Sequence, residues 1–321
     1  MILELILIIF GFIILIKSAD VLVDGSGSIA KKLKISEMVI GLTIVAIGTS
    51  APELSVSIKS AINGYSDIVI GNVLGSNIGN LFLIFGICVL INPIKMNKQF
   101  IKTESKILFL TYIILIFIYL IENKSAQKVI GIKEGIILII GFILFVTFNF
   151  IKMKRDKTLT LESEIKDINV WKSTILIIIG ILGLKIGGDF VVDNAVIIAE
   201  KLNISEKLIS ITVISLGTNL PELITCVTAS KKNQAGILLG NLIGSQILNI
   251  TLILGITILI RPINFSREYL LEIYLLLTGS FLFMVLSNVR KKEEITKQIG
   301  TVFLLIYIIY FLYLILKNIK P

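Results

Sequence analysis

The segment Ile40–Ile94, IGLTIVAIGTSAPELSVSIKSAINGYSDIVIGNVLGSNIGNLFLIFGICVLINPI, returns without a gap as Ile209–Ile263, ISITVISLGTNLPELITCVTASKKNQAGILLGNLIGSQILNITLILGITILIRPI. The offset is 169 throughout, and roughly 22 of the 55 positions are identical. It extends backward to pair Asp20 with Asp189, Asp24 with Asp193, and KISE from Lys34 with NISE from Asn203. Self-similarity at a fixed spacing means that one structural unit occurs twice, and any fold for this chain must accommodate both copies.

Hydropathy states what kind of unit it is. The chain has 321 residues, 55% of them hydrophobic and 17% charged, and its mean hydropathy is +0.95. Apolar runs long enough to cross a hydrocarbon core recur along its whole length. They predict an all-α polytopic membrane protein with ten spans near 3–27, 38–62, 66–91, 105–121, 130–151, 171–197, 207–229, 235–260, 268–288 and 298–316. The first run, MILELILIIFGFIILI, has no basic leader and continues too long for a signal, so it counts as a span. Five spans precede the second copy. An odd number sets the two copies in opposite senses, the inverted-repeat plan of many secondary transporters. The expected organisation is a first repeat over 1–151, a connecting loop over 152–170 and a second, inverted repeat over 171–321.

The net charge of +9 follows topology. Lys31, Lys32, Lys34, the lysines between Lys95 and Lys106, the central connection, Lys231, Lys232 and Arg290–Lys292 all fall on the side opposite the termini. Basic residues collect in the cytoplasm, which predicts a cell-membrane protein with both termini outside. The lipid bilayer, not nucleic acid, is the expected surroundings, and nothing indicates an obligate protein partner. The chain has no histidine, so histidine catalysis and histidine metal ligation are excluded. Cys88 and Cys226 stand singly in apolar segments and read as small buried residues.

The best-matched stretches are the most polar parts of their spans. In AIGTSAPELS, Pro52 has no amide hydrogen and its ring clashes with the Gly48 carbonyl. A helix broken just before Glu53 is expected, freeing carbonyls between Ala46 and Thr49. Such backbone is tolerated at membrane depth only inside protein or beside a wet cavity. Thr49, Ser50 and Glu53 add side-chain oxygens, and the second copy offers Thr218, Asn219 and Glu222 beside Pro221. The following spans supply Ser76 and Asn80, and Ser245 and Asn249, each pair four apart on one helix face. Gly71 with Gly75, and Gly240 with Gly244, form small-xxx-small patterns for close helix packing. Two carboxylates among carboxamides, hydroxyls and carbonyls make a hard-oxygen set suited to Ca2+ and unsuited to softer transition metals. One Ca2+ or two Na+ balances both charges.

Each residue also has a plainer reading. Single serines, glycines and asparagines glue membrane helices together, and a lone proline is an ordinary kink. Two glutamates in matching proline-broken segments of opposed repeats are not explained that way, because an intramembrane carboxylate is costly without a task. Asp20, Asp24, Asp189 and Asp193 lie at span ends near lysines and are expected to cap helices or form ion pairs. Lys17 and Lys185 are placed to snorkel.

These residues resemble the cation/calcium exchangers, and specifically the prokaryotic sodium/calcium exchangers, whose α-repeats carry G-T-S-x-P-E followed by G-N-x-x-G-S-x-x-x-[ND]. Here they stand as GTSAPE with GNVLGSNIGN, and GTNLPE with GNLIGSQILN. The resemblance covers nearly the whole chain. It implies two inverted five-helix repeats with broken helices 2 and 7, and a Ca2+ site on Glu53, Glu222 and their neighbours. It also implies Na+ sites using Thr49, Ser50, Ser76, Thr218, Ser245 and backbone oxygens near Ala46 and Ser215. Alternating access, in which the first spans of each half slide against the core, with about three Na+ per Ca2+, belongs to the same implication. Asn219 departs from the usual serine, and Asn249 stands where related proteins often carry aspartate. A neutral Asn249 argues against K+ co-transport.

The expected function is therefore a Na+/Ca2+ antiporter, not an enzyme, with the ions as cargo and no cofactor. A H+/Ca2+ exchanger of the same fold is the nearest alternative, and a passive cation channel is the alternative from a different class.

Overall fold

The computed structural model describes residues 2–95, 98–121, 129–155, 166–202, 215–289 and 294–319. In chain order these form α1 (Ile2–Leu33), α2 (Glu37–Thr49), α3 (Ala51–Asn63), α4 (Ser66–Ile91), β1 (Ile94–Lys95), α5 (Lys98–Ile121), β2 (Val129–Ile130) and α6 (Ile132–Arg155). The second half contributes α7 (Val170–Lys201), α8 (Ser215–Thr218), α9 (Leu220–Lys231), α10 (Ala235–Ile260), β3 (Ile263–Asn264), α11 (Leu270–Val289), β4 (Glu294–Ile295) and α12 (Lys297–Ile319). Among the described residues, eight helices are long and apolar enough to cross a membrane, and the bent pair α2–α3 supplies a ninth crossing. The seventh expected span, 207–229, has its first residues, 207–214, outside the described residues; its remainder is α8 and α9.

Several helices outrun their apolar stretches. α1 continues to Leu33 rather than ending at 27, α5 begins at Lys98 rather than 105, and α7 continues to Lys201 rather than 197. Lys31 and Lys32 in the last turn of α1, and Lys201 in that of α7, suit the negative end of a helix and reach interfacial water, so the helix persists beyond the hydrocarbon. Pro93 and Pro262 follow α4 and α10, where no further helical turn can form. The chain then makes two ribbons that hydropathy does not announce. β1 pairs with β4 (Ile94 opposite Ile295) and β2 with β3 (Ile130 opposite Ile263), so each ribbon joins one half to the other.

The inversion is visible in how α1 meets α7. Gly11 lies against Gly187, and Ser18 against Gly180, so the two helices run antiparallel. Residues 11 and 180 are equivalent under the offset of 169, and so are 18 and 187. The contact therefore maps onto itself when the halves are exchanged, as an isologous interface does. A Cβ on Gly11 would fall 2.9 Å from the Gly187 carbonyl oxygen, and one on Gly187 equally near that of Gly11. A second pair of contacts repeats the symmetry: Gly86 of α4 packs on Leu304 of α12, and Gly255 of α10 on Gly135 of α6.

α4 and α10 form the centre of the bundle, mostly buried, whereas α1, α6, α7 and α12 turn rows of Ile, Leu and Phe outward as a lipid-facing surface. Gly240 and Gly244 bring α10 onto the backbone of α2. A Cβ at Gly240 would lie 2.5 Å from the Met38 carbonyl oxygen, and one at Gly244 2.7 Å from that of Leu42. This is the close approach that the small-xxx-small spacing predicts.

Ion pairs gather at the basic end of the bundle. Asp24 binds Lys232 at 2.7 Å and Lys166 at 2.8 Å, and Lys232 also reaches Asp20 at 3.1 Å. Lys32 pairs with Asp167, and Ser28 exchanges hydrogen bonds with the Ile168 backbone. The ion pairing expected of Asp20 and Asp24 is present, but with Lys166 and Lys232, distant in sequence, rather than with Lys31, Lys32 or Lys34. Asp189 pairs within its own helix, with Lys185 at 3.1 Å.

Substituting Gly240→Ala forces α10 away from α2 and should lower stability by about 1–3 kcal/mol. Gly141→Ala, whose Cβ would come no nearer than 3.7 Å to Thr251, should leave the melting temperature in detergent unchanged or slightly raised. Equal melting of Gly240→Ala and the parent protein would show that the close approach is not required.

Candidate ion-binding site

The site begins with a break that both repeats share. α2 ends at Thr49, Ser50 takes φ −83° and ψ 10°, and α3 departs at an angle of 48° to α2. Asn219, the equivalent of Ser50, takes φ −82° and ψ −2° between α8 and α9. Pro52 and Pro221 fall in the first turn of α3 and α9, where a missing amide hydrogen removes no helical bond. Glu53 and Glu222 occupy the same first turns, so the partial positive charge of each helix start faces a carboxylate. The carbonyl of Ala46, expected to be free, in fact accepts the Ser50 amide at 3.0 Å. Pro52 therefore releases less backbone than its position suggests, because the chain before the break remains helical.

Two further backbone features are common to both halves. The turn after α3 passes through Gly64 at φ 83°, and the turn after α9 passes through Asn233 at φ 56°. Glycine and asparagine are the residues that best tolerate this left-handed conformation. α4 widens into a π-helical turn over Gly79–Ile84, and α10 does so over Asn249–Ile253. Asn80 and Asn249 lie in these turns. α2 has another over Gly41–Val45. Local π turns inside α-helices occur often at functional sites because they shift the direction of the side chains that follow.

The candidate side chains lie in the interior of the bundle. Thr49, Ser50, Glu53, Ser76, Asn80, Thr218, Asn219, Glu222, Ser245 and Asn249 are all buried, with Glu53 fully inaccessible. Ser50 donates to Glu222 Oε1 at 3.1 Å, linking the first break to the second repeat. Thr49 donates to Asn241 Oδ1 of α10 at 2.9 Å. Asn72 of α4 donates to the Glu53 carbonyl at 3.1 Å and to Ser57 at 2.9 Å. Asn241 donates to Cys226 Sγ at 3.3 Å. Asn72 and Asn241 are repeat equivalents, as are Ser57 and Cys226, so one brace holds each broken helix to its neighbour. Ala46 is buried beside Gly244. Ser215 starts α8, and its side chain lies outside the described residues.

What remains unsatisfied is almost all oxygen. Both carboxylate oxygens of Glu53, Glu222 Oε2, Asn219 Oδ1, Ser245 Oγ, Asn249 Oδ1 and both polar atoms of Asn80 are buried without a hydrogen-bond donor or acceptor. Buried polar groups are normally paired, and an unpaired buried carboxylate is the most costly of them. Glu222 also lies close enough for its charge to act on Glu53. Among the described residues no group of three or more His, Cys, Asp or Glu converges, so two carboxylates supply the formal charge. The chemistry this permits is cation binding by hard oxygens.

Some members of the site are not evident from composition or spacing. Asn249 Nδ2 donates to Asn77 Oδ1 at 2.9 Å, and Asn77 Nδ2 donates to the Gln246 carbonyl at 3.2 Å. Tyr112 of α5 donates to Gln246 Oε1 at 2.9 Å. Asn77 thus turns the Asn249 carboxamide so that its oxygen is the free atom. Asn77 and Gln246 are equivalent positions within the repeated motif, and Asn72 and Asn241 are identical in both copies; that repetition was the available signal. Tyr112 lies outside the repeated segment, and nothing in the sequence marks it.

Comparison with known proteins gives one consistent result. The sequence profile of the family described as sodium/calcium exchanger protein matches residues 3–151 and 172–316. The sodium/calcium exchanger MaX1 of Methanosarcina acetivorans is 30% identical over 95% of this chain and 96% of its own. The putative antiporter CaxA of Alkalimonas amylolytica is 33% identical over 97% of this chain and 98% of its own. Among solved structures, the sodium-calcium exchanger NCX_Mj, soaked with zero Na+ and Ca2+, superposes with a TM-score of 0.82 at 31% identity, covering 98% of this chain and 99% of that one. The same exchanger soaked with 2.5 mM Na+ and 0.1 mM Ca2+ gives 0.81 at 31% identity, covering 96% and 97%. The chain belongs to the sodium/calcium exchanger family, a multi-span membrane antiporter of the cation/Ca2+ exchange type.

Proposed function

We propose that this protein exchanges Na+ for Ca2+ across the cell membrane, with Glu53 and Glu222 as the charged ligands of one central site. The observation that supports this most is the pair of buried carboxylates of which both Glu53 oxygens and Glu222 Oε2 lack donors, set among further unpaired oxygens. One Ca2+ or two Na+ neutralises that pair. Two cargoes that satisfy the same charge compete for it, and competition at a single site is what exchange requires. Thr49, Ser50, Ser76, Thr218, Asn219 and Ser245 are the proposed neutral side-chain ligands beside Asn80 and Asn249, with backbone oxygens at Ala46 and Ser215.

The proposed cycle is alternating access. α1 and α7 make most of their contacts with each other, along glycine-lined faces. As a pair they are suited to slide against the core formed by α4, α10 and the broken helices. The Asp24–Lys232 and Asp20–Lys232 pairs tie α1 to the residue that caps α9, at one side of the bundle. That side is the basic end of the bundle, assigned here to the cytoplasm, which leaves both termini outside. The unit boundaries follow the repeat: 1–151, a connection over 152–170, and 171–321. We assign a stoichiometry of about three Na+ per Ca2+, hence net charge movement in each cycle, by likeness to the family. Because Asn249 is neutral, K+ has no third carboxylate to bind, and exchange is K+-independent.

Purified protein in proteoliposomes should take up radiolabelled Ca2+ when an outward Na+ gradient is imposed with pH equal on both sides. Uptake should be unchanged when K+ is replaced by choline at a fixed membrane potential. A requirement for a proton gradient would transfer the protein to H+/Ca2+ exchange, and Ca2+ efflux indifferent to external Na+ would indicate a channel.

Glu53→Gln and Glu222→Gln each remove half of the site's charge while keeping the side chain's shape. Each should reduce exchange at least a hundredfold, the loss expected when a ligand charge worth about 3 kcal/mol is deleted from a buried site. Monodisperse behaviour in detergent would separate this loss from misfolding. Retained Ca2+ exchange in both variants would remove the assignment.

A further inference from the structure

The two repeats differ at one point where their geometry is otherwise the same. Ser50 and Asn219 are equivalent and share nearly the same backbone angles, yet one carries a hydroxyl and the other a carboxamide. The larger side chain needs space. Asn219 takes it from Gly79 of α4: its Nδ2 occupies the volume in which a Cβ on Gly79 would lie, so even alanine would overlap it. The equivalent of Gly79 in the second half is Leu248, which is buried. Thus the large polar residue accompanies a glycine, and the small polar residue belongs to the set that carries a leucine. Gly79 is also the first residue of the π-helical turn that contains Asn80, one position before that proposed ligand.

The exchange of sizes has a chemical result. Ser50 donates its proton to Glu222 Oε1 and so partly satisfies that carboxylate. Asn219 has its nitrogen turned to Gly79 and its Oδ1 buried with no donor, and Glu53, the repeat equivalent of Glu222, has neither oxygen satisfied. The second break therefore offers a carbonyl-type oxygen where the first offers a hydroxyl oxygen whose proton is already committed to Glu222. We infer that Gly79 is a positioning residue that seats Asn219 with its carboxamide oxygen free for a cation, and that the pair makes the two repeats bind ions unequally. This rests on the ion site proposed above, and it assigns to Gly79 a role that no ligand chemistry of its own suggests.

The test is a double-mutant cycle on the full-length protein, read by equilibrium binding of radiolabelled Ca2+ in detergent with Na+ as competitor, which does not depend on transport. Gly79→Ala should push the Asn219 amide out of place and raise the Na+ concentration for half-displacement, or the Ca2+ dissociation constant, by about tenfold, a coupling of about 1.4 kcal/mol. Asn219→Ser alone should shift the same constants, because a ligand oxygen is exchanged for a hydroxyl. In the Asn219→Ser background, Gly79→Ala should have almost no additional effect, because the small side chain leaves room for the methyl group. Additive losses in the double variant would overturn the inference and leave Gly79 as a packing glycine only. If Gly79→Ala does not fold, folding of the double variant upholds the pairing, and failure of both overturns it. Parent-like ion constants in Asn219→Ser would also overturn it, since the carboxamide would then not be a ligand. Absence of Ca2+ binding in the parent protein itself would instead refute the proposed site.

Discussion

Two carboxylates buried within reach of each other's charge dictate much of what surrounds them. Glu53 and Glu222 lie in the interior with most of their oxygens unpaired by other side chains or backbone. The surroundings moderate this without removing it. Each glutamate sits at a helix start, where backbone amides carry partial positive charge. One hydroxyl reaches Glu222, whereas the nearest bond to Glu53 is to its backbone carbonyl, from Asn72. On the proposed function, mobile cations meet the remaining demand. Several apparent flaws of the fold surround the two carboxylates: prolines inside spans, a helix break at Ser50 and at Asn219, and amide side chains in an apolar core.

Much of this was legible from residues alone. The repeat at 169, the odd number of spans between its copies and the proline-glutamate pairs defined the inverted plan and the candidate ligands together. What was not legible depends on contacts between distant parts of the chain. The π-helical turns at Gly41, Gly79 and Asn249 have no sequence marker, because a widened turn results from packing and not from propensity. Asp24 finds Lys232 and Lys166 instead of the nearby lysines because α1 lies beside the end of α9 and the chain leading into α7, and hydropathy contains no information on neighbours. Helix ends are misjudged for a related reason: hydropathy reports where lipid ends, while hydrogen bonding continues until capping or proline stops it.

The Ala46 carbonyl gives a more specific lesson. A proline in a helix normally implies an unpaired carbonyl four residues earlier, and that argument correctly locates the break at Ser50. It does not imply that the whole preceding turn opens. The Ser50 amide bonds to the Ala46 carbonyl, so the α2 end stays regular while α3 changes direction. The break is sharp because Pro52 sits in the first turn of the new helix, where its fixed geometry favours initiation rather than disruption.

The contact between α1 and α7 has a further meaning. Gly11 on Gly187 and Ser18 on Gly180 become each other when the halves are exchanged. A surface with that property recognises an upside-down copy of itself. Two five-span units of opposite orientation would therefore meet along this face whether or not a peptide chain joined them. In the single fused chain the halves can no longer part, and each is released from being identical to the other. Only after that release does one copy gain the freedom to keep a serine where the other keeps an asparagine.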